Sequence, residues 1–190
     1  MTTAPRVHRA LIALFVLYLV LLVWIVLWKV HVPFIGRDDM RGIKLVPFTS
    51  GDGFGSSDPY ELAANLLLFV PLGIYLSLLV PRWHWGRIVA VAAGVSLLLE
   101  VAQFILAAGS SDITDLIVNV AGGLVGVIVA AIARRGLKER TGMVMAWVLG
   151  IGTVLSLAAI VFIIVSFPRM PQPGSGEVVI LSIFPLQSRG

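Results

Sequence analysis

Long apolar runs separated by short polar breaks set the layout of this chain. Five runs stand out: Ala10–Trp28, about Leu62–Val80, Ile88–Ala108, Leu116–Ala133 and Met143–Phe167. Each is close to the roughly 20 apolar residues that a helix needs to cross a bilayer. The runs are too long for strands and carry no period-two alternation. The pattern predicts an all-α, polytopic membrane bundle of about five transmembrane helices. The first run follows Arg6 and Arg9, as the core of a signal peptide would. It is too long for that and ends in "VLWKV", with no small-residue cleavage site, so it reads as a retained anchor.

The breaks differ in character. The first, His31 to about Asp58, mixes charge with glycine, and the second, "PRWHWGR", is short, basic and aromatic, as expected at a headgroup interface. The third is barely "GSS", which predicts a tight antiparallel hairpin of the third and fourth helices. The fourth, "RRGLKER", holds four basic residues, and the fifth helix is followed by the breaker-rich "PRMPQPGSG". The final "EVVILSIFPL" is too short for a helical span. Three regions follow: an anchor helix in residues 1–30, a core of external loop plus three helices in 31–133, and a fifth helix with tail in 134–190.

Lysine and arginine in the short loops set the expected orientation. The second loop has two, the third none and the fourth four, which predicts a cytoplasmic N-terminus and an external C-terminus. The basic first loop, with Arg37, Arg41 and Lys44, runs against this tendency. Composition agrees with a lipid-embedded chain: of 190 residues 58% are hydrophobic and 13% charged, against about 25% charged in soluble domains. The net charge of +4 is accounted for by topology and lipid headgroups, and no nucleic-acid motif is present. Without cysteine there is no disulfide, thiolate metal site or cysteine nucleophile, and His8, His31 and His84 have no metal-ligand spacing.

Against this background the polar residues within the spans are few and clustered. Asn65 lies near the outer end of the second helix, Glu100 and Gln103 in the outer half of the third, and Asp115 and Asn119 open the fourth. At about 1.5 Å per residue these groups share one depth. On the third helix Ala93, Ser96, Glu100, Gln103 and Ala107 form a small-and-polar stripe; Asp112, Asp115, Asn119, Gly122, Gly126 and Ala130 do the same on the fourth. Gly122 and Gly126 make a GxxxG element, so these two helices are expected to pack through these faces. Pro71 is a candidate kink in the second helix. Simpler roles fit several of these residues: Asp112 suits an N-cap, and the amides suit interhelical hydrogen bonds. Glu100 stands apart, because an ionisable group inside a span is costly and marks a functional site by default.

In "LVPF" (Leu45 to Phe48), "NLLLFVPLG" (Asn65 to Gly73), Glu100 with Gln103, and "DITDLIVNVAGGLVG" (Asp112 to Gly126), the chain resembles the VanZ-like family of bacterial integral membrane proteins. The elements fall in order and cover about Lys44 to Ala131. The resemblance implies a multi-pass protein of the bacterial cytoplasmic membrane and cell envelope. The family's founding member is an accessory determinant of glycopeptide resistance of the teicoplanin type. Its polar motif positions are here Asn65, Glu100, Gln103, Asp112, Asp115 and Asn119. An arginine that family members often carry shortly before the first aspartate is missing from "AAGSSD".

Three readings of the external polar pocket stay open. It binds an envelope or lipid-linked ligand; or it is a membrane-embedded enzyme with Glu100 as acid or base; or it belongs to a transporter of lipids or small molecules. No activated nucleophile accompanies Glu100, and the inner halves of the second to fourth helices show no ionisable track. No organic cofactor is expected, whereas a divalent cation on Asp112, Asp115 and Glu100 is chemically reasonable. Membrane lipids are the expected partners, and Arg41 or Lys44 the expected ion-pair partners of the acidic pocket.

Overall fold

The computed structural model describes residues 5–28, 43–44, 59–106 and 111–166. Among the described residues there are five α-helices: α1 (Pro5–Trp28), α2 (Pro59–Leu79), α3 (Trp85–Leu106), α4 (Ile113–Leu137) and α5 (Thr141–Ser166). Two two-residue strands, β1 (Ile43–Lys44) and β2 (Ser111–Asp112), pair in parallel. Four stretches are long and apolar enough to cross a membrane: one each for α1, α2 and α3, and a 50-residue stretch, Ile113–Phe162, that contains both α4 and α5. A straight helix of that length would run about 75 Å, more than twice the hydrocarbon thickness. The backbone breaks at Lys138, whose φ of 49° is left-handed and whose N–H donates back to Arg134 O. A 3₁₀ turn, Lys138–Arg140, then leads into α5, where Thr141 Oγ1 donates to Lys138 O at 2.6 Å. Two spans therefore follow one another, in agreement with the five apolar runs.

Local chemistry sets the helix ends, which is why they lie beyond the apolar runs. Pro59 occupies the first position of α2, where a missing N–H costs nothing, and Glu61 sits in the first turn near the positive end of the dipole. At the start of α3, His84 Nδ1 accepts from Gly86 N at 3.2 Å. Asp112 caps α4, accepting from Thr114 N at 2.8 Å through Oδ1. Arg134 and Arg135, expected in a loop, lie in the last turn of α4, where cations oppose the dipole. The Arg134 Nη2 also donates to Ser77 O near the end of α2, so a basic residue from the predicted loop ties two helix ends together.

The core is built around α2. Its residues Phe69, Leu72, Ile74, Tyr75, Leu76 and Leu78 are buried and join Leu11, Tyr18 and Leu22 of α1, Ile88, Ala92 and Leu99 of α3, and Leu149 of α5. Tyr18 donates from its hydroxyl to Leu68 O at 2.7 Å, and its ring lies 5.4 Å from that of Tyr75. The small-residue face of α4 packs differently from the expectation. Gly122 and Gly126 lie against α2, where a Cβ on Gly126 would collide with the Val70 carbonyl and one on Gly122 with that of Leu66. Gly73 of α2 completes this contact, since its own Cβ would meet the Gly123 carbonyl. The face toward α3 is carried by Gly123 instead, where a Cβ would stand 2.7 Å from Ala92 Cβ. Pro71 sits within an unbroken α2. Outward-facing Leu98, Ile105, Trp147 and Phe162 are exposed, as lipid-facing residues must be. Exposed Trp83 and Trp85 flank the α2–α3 turn, together with Arg82 and Arg87.

Candidate functional site

Antiparallel succession of α1 to α4 brings four helix ends to one side of the bundle: the C-termini of α1 and α3 and the N-termini of α2 and α4. Asn65 stands six residues from Pro59, Glu100 six from Leu106 and Asn119 six from Ile113. At 1.5 Å per residue each is about 9 Å from its helix end. There the helices separate around a cavity of about 220 Å³. Ile25 and Val26 of α1, Glu61, Ala64, Asn65 and Leu68 of α2, Glu100 and Gln103 of α3, and Asp115 and Asn119 of α4 line it.

The polar lining residues also hold the helices in place. Glu100 is buried and accepts from Asp112 N at 3.1 Å through Oε2, so a carboxylate of α3 fixes the start of α4. Gln103 donates from Nε2 to Val26 O at 2.8 Å, which ties α3 to α1. Asn119 donates from Nδ2 to Ser96 Oγ at 2.9 Å, joining α4 to α3 within the core. Its Oδ1 is buried and has no hydrogen-bond partner among the described residues. Such interhelical bonds contribute about 0.6 kcal/mol each in typical membrane bundles. They position the site more than they stabilise the fold.

Five of the six residues singled out in the sequence, Asn65, Glu100, Gln103, Asp115 and Asn119, line this one cavity. Asp112 is not among them. It caps α4 and offers its backbone N–H to Glu100. The first loop returns to the same place: Ile43 pairs with Ser111 and Lys44 with Asp112 through the short parallel strands. The Lys44 backbone therefore adjoins the cap, while Arg41 lies outside the described residues, as do the "LVPF" motif and the tail. Among the described residues no three of His, Asp and Glu converge as a metal site would require.

Two contributors escaped the sequence reading. Glu61 lies four residues before Asn65, the spacing that puts both on one helical face, and its position at the start of a span concealed it. The other is α1, whose Val26 carbonyl and Ile25 side chain close the cavity. Nothing in the uniformly apolar stretch of that helix, Ala10–Trp28, distinguishes these positions.

A sequence profile of the VanZ/LLP1 family matches residues 15–134, which takes in the second part of α1 together with α2, α3 and nearly all of α4. Every lining residue falls inside that span, and α5 lies outside it. The protein VanZ of Enterococcus faecium is similar, with 31% identity over 129 residues, 67% of this chain and 77% of that protein. No solved structure matches the chain.

Proposed function

The chain is a member of the VanZ/LLP1 family with helices that span a membrane, and from this we propose that it is a cell-envelope protein of the bacterial cytoplasmic membrane that binds an envelope or lipid-linked ligand in the cavity between α1 and α4. One observation carries the reading. Side chains from α2, α3 and α4 that are too polar for a span turn toward a single hollow, although each helix has lipid-facing positions to spare. Polar groups within a membrane face protein or water and mark function. The N-terminus is cytoplasmic in this proposal, supported by the basic residues at the opposite end, Arg82, Arg87, Arg134, Arg135, Lys138 and Arg140. The cavity then opens outward, where envelope ligands are found. A contribution to glycopeptide resistance follows as the physiological expectation, by way of the VanZ relative.

Binding fits the geometry better than catalysis. Glu100 is engaged by the backbone of Asp112, an arrangement that positions the carboxylate, and no hydroxyl nucleophile stands among the described lining residues. The test is to purify the protein in mild detergent and identify bound envelope material by mass spectrometry, beside an Asp115→Asn variant. A lipid or lipid-linked molecule enriched on the wild type at least fivefold over the variant supports the reading. Equal, non-selective lipid on both contradicts it.

A further inference from the structure

The two ends of the bundle treat charge in opposite ways. The helices that begin at the cavity end follow the dipole preference: α2 has Glu61 in its first turn and α4 has Asp115. At the opposite end α3 and α5 begin, and neither has an acid in its first turn. Arg87 stands instead in the first turn of α3, and Lys138 and Arg140 directly precede α5. Cations there oppose the positive end of each helix dipole, so local helix stability does not account for them. The α2–α3 and α4–α5 connections bring Arg82, Arg87, Arg134, Arg135, Lys138 and Arg140 to this end against one acid, Glu139. All but Arg134 are exposed, and none of the six forms an ion pair among the described residues.

These cations flank one seam. The Arg134 Nη2 donates to Ser77 O, which pins the last turn of α4 to the end of α2. Arg82 follows Ser77 by five residues, and Arg135 and Lys138 follow Arg134 by one and four. The α2–α3 connection is short and hydrogen-bonded, Trp83 N to Val80 O and Arg87 N to His84 O, both at 2.9 Å, so it keeps Arg82 and Arg87 beside the end of α2. Arg134 is half-buried, and the Ser77 carbonyl takes only part of its five N–H donors. Trp83 and Trp85 are exposed in the same connection, the usual place of aromatic residues at headgroup level.

We infer that this seam binds an anionic phospholipid, whose phosphate is held by the arginines of the α2–α3 and α4–α5 connections. A guanidinium presents paired donors that match phosphate oxygens, and such charge-assisted bonds are strong. The phosphate comes on a lipid because the cations stand with the tryptophans at the bilayer surface, where a basic cluster beside a span attracts anionic headgroups. The orientation tendency asks only for lysine or arginine somewhere in these loops. A cluster tied to α2 through Ser77, with its remaining donors uncommitted, is more than that tendency requires. The site lies at the end opposite the cavity and is independent of whether the cavity binds a ligand.

The test is native mass spectrometry of the full-length protein in a nonionic detergent, titrated with phosphatidylglycerol or with phosphatidylcholine of the same acyl chains. The first phosphatidylglycerol is expected to bind at least tenfold more tightly than phosphatidylcholine. Each cation near a membrane surface contributes a factor of about five. Arg82→Gln with Arg87→Gln, and separately Arg135→Gln with Lys138→Gln, should therefore weaken phosphatidylglycerol at least fivefold, with phosphatidylcholine unchanged within twofold. Elution on size exclusion checks folding, and if one pair fails to fold the other decides. Arg6→Gln with Arg9→Gln removes the same charge from the start of α1 at this end and should change the affinity less than twofold. Equal binding of the two lipids overturns the inference. So does equal weakening by the Arg6 and Arg9 pair, which would make the effect one of net charge alone. Displacement of the lipid by an equal concentration of glycerol phosphate would assign the seam to a soluble phosphate ester and overturn it too.

Discussion

The two halves of α2 have similar apolar content and opposite surroundings. From Phe69 onward, Leu72, Gly73, Ile74, Tyr75, Leu76, Ser77 and Leu78 are all buried, with α1, α3, α4 and α5 packed around them. Before Phe69, Tyr60, Ala63, Ala64 and Leu67 are exposed and Glu61 and Asn65 only partly covered. Three glycines explain the difference. Gly73 and Gly126 bring the backbones of α2 and α4 into contact around Val70 to Ile74, and Gly122 carries the contact as far as Leu66; in a bilayer such close packing replaces the hydrophobic drive between helices. Toward the other end that contact gives way to acids and amides, and the helices part around the cavity. Hydropathy alone says where a helix spans. The small and the polar residues say which part of it is solid and which is hollow.

Gly126→Leu attacks the solid half and should have the largest effect. A side chain there meets backbone that cannot move aside, and overpacking of that kind costs about 3 kcal/mol. Monodisperse protein after detergent extraction should fall to a small fraction of wild type. A near-normal yield would mean that α2 and α4 are not in backbone contact.

Asp112→Ala at the hollow end should cost less, about 1 kcal/mol for a lost N-cap, read as a lower thermal midpoint in detergent. The Asp112 backbone N–H that Glu100 accepts from survives the change. Ligand response should therefore outlast the loss of stability, whereas abolished binding at normal stability would make Asp112 a ligand contact.

Ser96→Ala lies between the halves and should have the smallest effect, about 0.6 kcal/mol for one interhelical bond. It frees the Asn119 Nδ2 from its anchor on α3. The amount of envelope material that co-purifies should change more than stability falls. Mass spectrometry of the variant beside the wild type measures it.

Much of this was legible in the sequence because lipid makes the rules simple. The five apolar runs located the helices, and the shared depth of Asn65, Glu100, Gln103, Asp115 and Asn119 picked out residues that line one cavity. Helix ends were less legible, since Pro59, Asp112 and Arg134 act through capping and dipole terms that an apolar count ignores. The partner of the GxxxG face was not legible at all. Gly122 and Gly126 announce a close approach without saying to which helix, and the answer depends on Gly73, some fifty residues away. The share of α1 in the cavity was hidden for a similar reason, since what it offers Gln103 is a main-chain carbonyl.

The absence of native cysteine permits a direct test of the central claim, that the bundle is hollow and outward-open at the α2 N-terminal end and solid at the other. Single cysteines at Ala64 and Leu72 would be exposed to a membrane-impermeant maleimide in intact cells, with labelling read on the purified protein. Ala64 lines the cavity and Leu72 is 1% exposed. The account predicts strong labelling of Ala64→Cys and no labelling of Leu72→Cys until the protein is denatured. Labelling of Ala64→Cys only after the cells are permeabilised would put the cavity on the cytoplasmic side, and equal labelling at both positions would remove the distinction between the two halves.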